Sequence, residues 1–201
     1  MQAWAGFAQA IIVGVVAWKA TDTFNLWRKQ KVEERRISSA IEVSSLIYRV
    51  RNAFSAVRAA GMTIRELEEA SARLIDSGID LKSESVPKQK KIVQAQVVFD
   101  RLDRFAETWN EMARWQPISL ALFGEEIESA LRGLWQEKLR IETAATHYPV
   151  RVADKELREE IEVTLSAPKS GSKYEDQFSE RVNRIISDAE KTLLPIIRHS
   201  A

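Results

Sequence analysis

An apolar run near the start of the chain limits its possible structures more than any other feature. Residues 3–18 contain no charged side chain, and the first charge is Lys19. At about 1.5 Å per residue a helix of this length spans roughly 24 Å, against a hydrocarbon core about 30 Å thick. Trp4 and Trp18 bracket the run as interfacial tryptophans do, and Lys19 can extend its amine to the headgroups. We therefore predict one transmembrane anchor with its interface over residues 1–27.

Other interpretations of this run fit less well. A cleaved signal peptide needs a basic region before the apolar run and a small-x-small cleavage site after it, and neither is clear here. An interfacial helix would be apolar on one face only, whereas this run is apolar all round. A buried helix of a soluble protein is the remaining alternative.

The charges that follow the run predict its orientation. Six basic residues lie within one short flank, against the acidic Asp22, Glu33 and Glu34. The basic residues are Lys19, Arg28, Lys29, Lys31, Arg35 and Arg36. By the positive-inside rule the N-terminus lies outside and the C-terminal domain is cytoplasmic. The chain is therefore expected to be a single-pass membrane protein in contact with lipid.

Small residues on one face of the run predict self-association. Gly6, Ala10 and Gly14 repeat every four residues, and Gln9 borders them. Such a pattern lets two helix backbones approach closely in lipid. A heptad-like seam begins at Val43, about eight turns beyond Gly14, so the two stripes point in nearly the same direction. The seam consists of Val43, Ile47, Val50, Phe54 and Val57.

A second copy following both stripes would form a coiled-coil homo-oligomer. The competing interpretation is that the seam packs against later helices of the same chain.

The rest of the chain predicts an all-α fold, an elongated cytoplasmic helical bundle over residues 28–201. Gly and Pro are scarce, at 7 and 5 residues, and helix-forming residues dominate. The expected helices are a long stalk helix at about 28–60 and further helices at about 64–77, 86–115, 119–146, 154–165 and 173–197.

Several local signals set these boundaries. Gly61 is predicted to end the stalk helix in a left-handed conformation, and Pro117 to break the helix that starts near residue 86. Thr63 with Glu66, and Ser172 with Glu175, have the spacing of capping boxes.

The composition and the missing motifs argue against catalytic, metal-binding and phosphate-binding sites of the common kinds. The chain has no Cys, two His and a net charge of +1, and it contains neither a Glu-x-x-His pair nor a nucleophile elbow or phosphate loop. We therefore expect no enzyme activity, no cofactor or metal, no evident small-molecule substrate and no nucleic-acid partner.

The basic residues Lys88, Lys90 and Lys91 are misplaced at a helix start, where the helix dipole disfavours positive charge. Together with Trp115 they form a candidate partner surface. The competing interpretations are a solvated face for the three lysines and packing in the core for Trp115. The first hypothesis for function is a membrane-anchored interaction module without catalytic activity that binds a cytoplasmic protein. The alternative is a homo-oligomeric membrane effector that forms pores, as toxin-like or defence proteins do.

Overall fold

The computed structural model describes residues 2–150, 154–167 and 176–198; the side chains of residues 2–18 and 20–22 lie outside the described set. Within these ranges the chain forms helices and turns, without a strand, and this confirms the all-α prediction. The helices are α1 (Gln2–Val57), α2 (Ile64–Asp76), α3 (Val86–Asp103), α4 (Ala106–Phe123), α5 (Glu125–His147), α6 (Lys155–Leu165) and α7 (Gln177–Arg198), with a short 3₁₀ turn at Leu81–Ser83.

Local capping chemistry explains several helix ends. The predicted capping box of α2 is present: the Thr63 hydroxyl accepts from the amide of Glu66, and the Glu66 carboxylate accepts from the amide of Thr63. At the start of α6 the Asp154 carboxylate accepts from the amides of Glu156 and Leu157. Gly78, at φ 82°, follows the end of α2.

The prediction for Gly61 is wrong, because α1 already ends at Val57 and Gly61 does not have a positive φ. The second predicted box, Ser172 with Glu175, lies outside the described residues.

The segment predicted as one helix at 86–115 is two helices, and this is a correction. The chain turns at Arg104 and Phe105, where the indole Nε1 of Trp109 donates to the carbonyl of Leu102 at 3.0 Å. The same carbonyl also accepts from the backbone amide of Phe105, so the indole is an additional donor at the end of α3. The apolar periodicity of the segment does not reveal this turn.

Pro117 does not break α4, which continues to Phe123. A proline inside a helix removes one hydrogen bond and costs about 3 kcal/mol, which tertiary packing can offset. The helix ends instead at Gly124, whose φ of 87° and ψ of −171° are accessible essentially only to glycine. Pro195 likewise lies inside α7, which continues to Arg198.

The C-terminal half of α1 is the central helix of the bundle. Phe54 contacts Trp109 of α4, with ring centroids 5.3 Å apart, and Arg49 pairs with Glu111 of α4 at 2.8 Å. Residue numbers rise along α4 as they fall along α1, so the two helices are antiparallel. The C-terminal end of α4 consequently lies at the end of the bundle from which the N-terminal part of α1 emerges.

Helix α7 is also antiparallel to α1. Phe178, near its start, stacks edge-on with Phe54 at 5.4 Å, and further along α7 Glu190 accepts a hydrogen bond from the Tyr48 hydroxyl. Gly133 of α5 allows a close approach to α7, because a Cβ there would lie 3.2 Å from Ile185.

The heptad-like seam of α1 is buried within its own chain. Its five residues, from Val43 to Val57, are at most 2% exposed and belong to the common core with α4, α5 and α7. A second copy cannot occupy this seam while the bundle is folded. The prediction that one partner helix follows both stripes is therefore wrong for the seam, and the competing interpretation is correct there.

Candidate interaction surfaces

The N-terminal half of α1 leaves the bundle as a helix with no covering neighbour over its described side chains. Residue 19 and residues 23–36 are all exposed, and we call residues 19–36 the projecting segment. Phe24, Leu26 and Trp27 are 59%, 65% and 53% exposed, and the rings of Phe24 and Trp27 lie 5.8 Å apart. The six basic residues predicted to flank the membrane all lie on this segment, and all of them are exposed.

The structure places the three lysines of the predicted partner surface and its tryptophan in different environments. Lys88 is exposed and pairs with Glu84 at 2.7 Å, and Lys90 is exposed. The amine of Lys91 lies 4.9 Å from the centre of the Tyr148 ring. Trp115, however, is only 6% exposed and belongs to the core, so it does not contribute to a partner surface.

Lys90 borders a groove of about 760 Å³ between the α1–α2 connection, α3 and α6. Apolar side chains line its inner part: Met62, Leu67, Val98 and Leu165. Gln94, Tyr148 and Glu162 join Lys90 as polar lining residues. Charges of both signs beside an apolar surface are typical of a protein-binding site rather than of a site for one strongly charged ligand.

Tyr148 is the most perturbed group of the groove. Its hydroxyl donates to Oε1 of Gln94 at 3.3 Å, and burial raises its pKa, with a further contribution from the negative charge of Glu162. The phenol therefore stays protonated at neutral pH and acts as a hydrogen-bond donor. The amine of Lys91 makes a cation–π contact with one face of the Tyr148 ring.

One wall of the groove is held by Arg101, which is 5% exposed. Its guanidinium donates to the carbonyls of Val57, Ala59 and Gly61, and to both carboxylate oxygens of Glu66. The hydrogen bonds from Arg101 are the main reason that the pKa of Glu66 falls to about 2. Arg101 therefore satisfies the carbonyls at the end of α1 and connects them to the start of α2.

The neighbouring wall is held by Arg58, which is 2% exposed. It donates to the carbonyls of Val163 and Thr164 at the end of α6, and to both carboxylate oxygens of Asp176 before α7. Its guanidinium also lies 4.1 Å from the centre of the Phe178 ring. Burial raises the pKa of Asp176, but the hydrogen bonds from Arg58 and Ser179 outweigh it and lower that pKa overall.

Neither buried arginine was predicted as a structural residue. Nothing in the spacing of Arg58 or Arg101 distinguishes them from exposed arginines such as Arg51 and Arg104. A third ion pair, at 3.0 Å between the buried Glu137 of α5 and the partly exposed Arg181 of α7, was also missed. In each case the partner lies far away in sequence, so only the tertiary fold brings the two charges together.

Within the described part of the chain, no group of three or more His, Asp or Glu side chains is arranged to hold a metal ion. Two carboxylates near helix starts have protein partners: Glu66 pairs with Arg101, and Glu126 accepts a hydrogen bond from Thr192 at 2.7 Å.

None of the helices, within the residues described, combines the length and the apolar character that a membrane crossing requires. The predicted helix-packing residues Gly6, Gln9, Ala10 and Gly14 have side chains outside the described set.

Comparison of the chain with protein-family models, with curated proteins and with solved structures finds no match. The class that the fold defines is therefore an all-α bundle with a long projecting N-terminal helix.

Proposed function

We propose that this protein is a membrane-anchored interaction module: α1 enters the bilayer over residues 3–18, and the bundle binds a cytoplasmic protein. One observation carries the proposal. Beyond Lys19 the helix continues for roughly 25 Å to Arg36, and its described side chains, at residues 19 and 23–36, are all exposed, Phe24 and Trp27 among them. Exposed aromatic side chains beside an uncharged run are favoured at a membrane interface, where their amphipathic rings lie at headgroup level.

The groove beside Lys90 supports the second half of the proposal. The buried arginines Arg58 and Arg101 fix its walls, so that little ordering is required when a partner binds. A short protein segment that places an apolar side chain against Met62 and Val98, with polar groups toward Lys90 and Glu162, would match the character of the lining.

The anchor is tested by membrane fractionation of the full chain and of a variant lacking residues 2–18. We expect the full chain to stay in the pellet after alkaline carbonate extraction, because a spanning helix is not released by removal of electrostatic contacts. The truncated variant should move to the supernatant while keeping its helical circular dichroism. Release of the full chain by carbonate would contradict the anchor.

The groove is tested by affinity capture from detergent extracts with the charge reversal Lys90→Glu. We expect a stoichiometric protein partner that is lost from this variant. Lys88→Glu is the matched control, because Lys88 is equally exposed but does not line the groove. If neither substitution changes what is captured, the groove is not the binding site.

The alternative of a pore-forming homo-oligomer predicts a different result. Only copies of the chain itself would be captured, and expression would depolarise the membrane in a manner that requires residues 2–18. The burial of the seam in α1 removes one of the two stripes on which self-association was argued, so this alternative has less support than the interaction module.

A further inference from the structure

Helix α2 packs on the bundle through one side and leaves the other side uncovered. Ala70 and Leu74 are buried on the inner side. The exposed residues of α2 share the opposite face at 3.6 residues per turn, apart from Arg73, which lies to one side and pairs with Asp100. We call this set the outer face of α2; it consists of Ile64, Arg65, Glu68, Ala72, Ile75 and Asp76.

One edge of the outer face is apolar. Ile64 and Ile75 are 11 residues apart, which is about three turns, so the two side chains point in nearly the same direction about 16 Å from each other. They are 76% and 60% exposed. A partner that covers this edge would therefore remove two isoleucines from water at once.

The other edge carries charges that the helix itself disfavours. Arg65 lies in the first turn of α2 and Asp76 is its last residue, again 11 residues apart. The helix dipole is positive at the N-terminus and negative at the C-terminus, so each charge has the unfavourable sign for its position. Arg65 pairs with Glu69, but its side chain is 87% exposed. Among the described residues, none forms an ion pair or a hydrogen bond with the Asp76 carboxylate.

Two copies of α2 can satisfy both edges when they pack antiparallel about a two-fold axis level with residue 70. Such an axis reverses the helix direction and places the same edge of the two helices side by side. Ile64 of one copy is then level with Ile75 of the second copy to within about one residue, and Arg65 is likewise level with Asp76. Each contact occurs twice, because the interface is isologous.

The centre of the outer face is compatible with this packing. Glu68 of one copy is level with Ala72 of the second copy. The small side chain of Ala72 lets the helices approach and leaves the Glu68 carboxylate room to reach solvent.

We propose that two copies of this chain associate through the outer faces of α2, packed as an antiparallel pair. The partner is identified by self-complementarity, because the apolar edge meets itself and the basic end meets the acidic end. The inference rests neither on the membrane anchor nor on the groove, whose lining residue Leu67 is on another side of α2. A single pair of helices of this length buries less than about 1,200 Å², so we expect a dimer with a dissociation constant in the micromolar range.

A charge reversal and its swap test the proposed ion pairs. Arg65→Glu places like charges at both pairs, whereas Arg65→Glu combined with Asp76→Arg restores both pairs with the opposite polarity. Both substitutions introduce the charge that the helix dipole favours, so the helical circular dichroism should not decrease. The control is Arg114→Glu, which makes the same change in net charge at an exposed residue of α4.

The dissociation constant is measured by analytical ultracentrifugation of the full chain in density-matched mild detergent. We expect the wild type to dimerise, and Arg65→Glu to raise the dissociation constant at least about tenfold, because two like-charge contacts replace two favourable ones. The swapped variant should return to within about threefold of the wild type, and Arg114→Glu should stay within about twofold.

Cysteine cross-linking tests the antiparallel direction, and the absence of native Cys makes it specific. Chains with Ile64→Cys should cross-link to chains with Ile75→Cys through a thiol reagent with a spacer of about 8 Å. Neither variant should cross-link to itself, because the same residue of the two copies would be about 15 Å or more apart along the helix axis.

Four results would overturn the inference. The first is a wild type that stays monomeric at the highest concentration measured. The second is a dimer that Arg65→Glu leaves unchanged, or that Arg114→Glu weakens equally. The third is cross-linking of each cysteine variant to itself, which would indicate a parallel pair. The fourth is a dimer that is insensitive to Arg65→Glu but lost on deletion of residues 2–18, which would assign self-association to the apolar run.

Discussion

Substitution of Arg101 by Met should destabilise the bundle more than any exposed substitution on the same helix. The arginine side chain is 6% exposed and donates five hydrogen bonds, three of them to backbone carbonyls and two to the carboxylate of Glu66. Methionine fills a similar volume but leaves that carboxylate and the three carbonyls without their donor. Removal of one member of a buried ion pair typically costs about 3–5 kcal/mol.

The structure provides a control for this prediction in Arg104, which contacts the same carboxylate. Its guanidinium lies 3.6 Å from Oε1 of Glu66, and its side chain is 53% exposed. An exposed ion pair is worth about 0–1 kcal/mol, so Arg104→Met should have a small effect. The two substitutions make the same chemical change next to the same partner and differ chiefly in burial and in the carbonyl contacts.

The free energy of unfolding of both variants is measured by urea unfolding of the full chain in mild detergent, monitored by far-ultraviolet circular dichroism. With an m-value near 2 kcal/mol per M, the midpoint of Arg101→Met should fall by about 2 M, and that of Arg104→Met by less than about 0.5 M. The double variant Glu66→Gln with Arg101→Met should cost less than the sum of the single variants, because the two residues share one interaction. Equal midpoints for Arg101→Met and Arg104→Met would refute the reasoning.

Three further predictions concern single sites. The pKa of Glu66 falls from 4.5 to about 2 on folding, so its ionised form stabilises the fold above pH 4.5 and this contribution is lost as the pH falls toward 2. The stability difference between wild type and Glu66→Gln should therefore shrink over that interval in urea melts, and a constant difference would contradict it. Gly124→Ala should cost about 1–3 kcal/mol because of its backbone conformation, whereas Gly61→Ala, with open space around it, should be nearly neutral. Ser119→Ala should stabilise the bundle by about 1 kcal/mol, because the fully buried Ser119 hydroxyl has no hydrogen-bond partner in the structure, and a lower melting temperature would show that the hydroxyl is satisfied.

The sequence alone was sufficient for features that depend on neighbouring residues. The absence of Gly and Pro between residues 15 and 60 predicted a long first helix, and the Thr63–Glu66 capping box is present as expected. Both depend on contacts within a few residues, where the sequence contains both partners. The core stripe of α5, including Ile127, Leu131, Leu134 and Ile141, is likewise buried, because a 3.6-residue period fixes which side chains share a face.

Of the residues that line the candidate groove, the sequence had indicated only Lys90, as one of three positive charges at a helix start. For Trp115 the interpretation as core is correct and the candidate partner surface is not. Periodicity gives the apolar face of a helix but not whether a given residue on it meets another helix or solvent. Trp115 is in fact buried, whereas Ile118 and Leu120, two turns or less further along α4, are exposed.

By itself, then, the sequence determined the helical class, the apolar run and the local caps, which arise from composition and from interactions within one or two turns. Only the tertiary structure decided that the α1 seam packs within its own chain, that α3 and α4 separate at Phe105, and that Arg58 and Arg101 hold the end of α1. The partners of each arginine include residues about 35 to 120 positions away along the chain. Burial of a charge becomes favourable only when several such distant groups converge on it, and the convergence is a property of the packed bundle rather than of any segment.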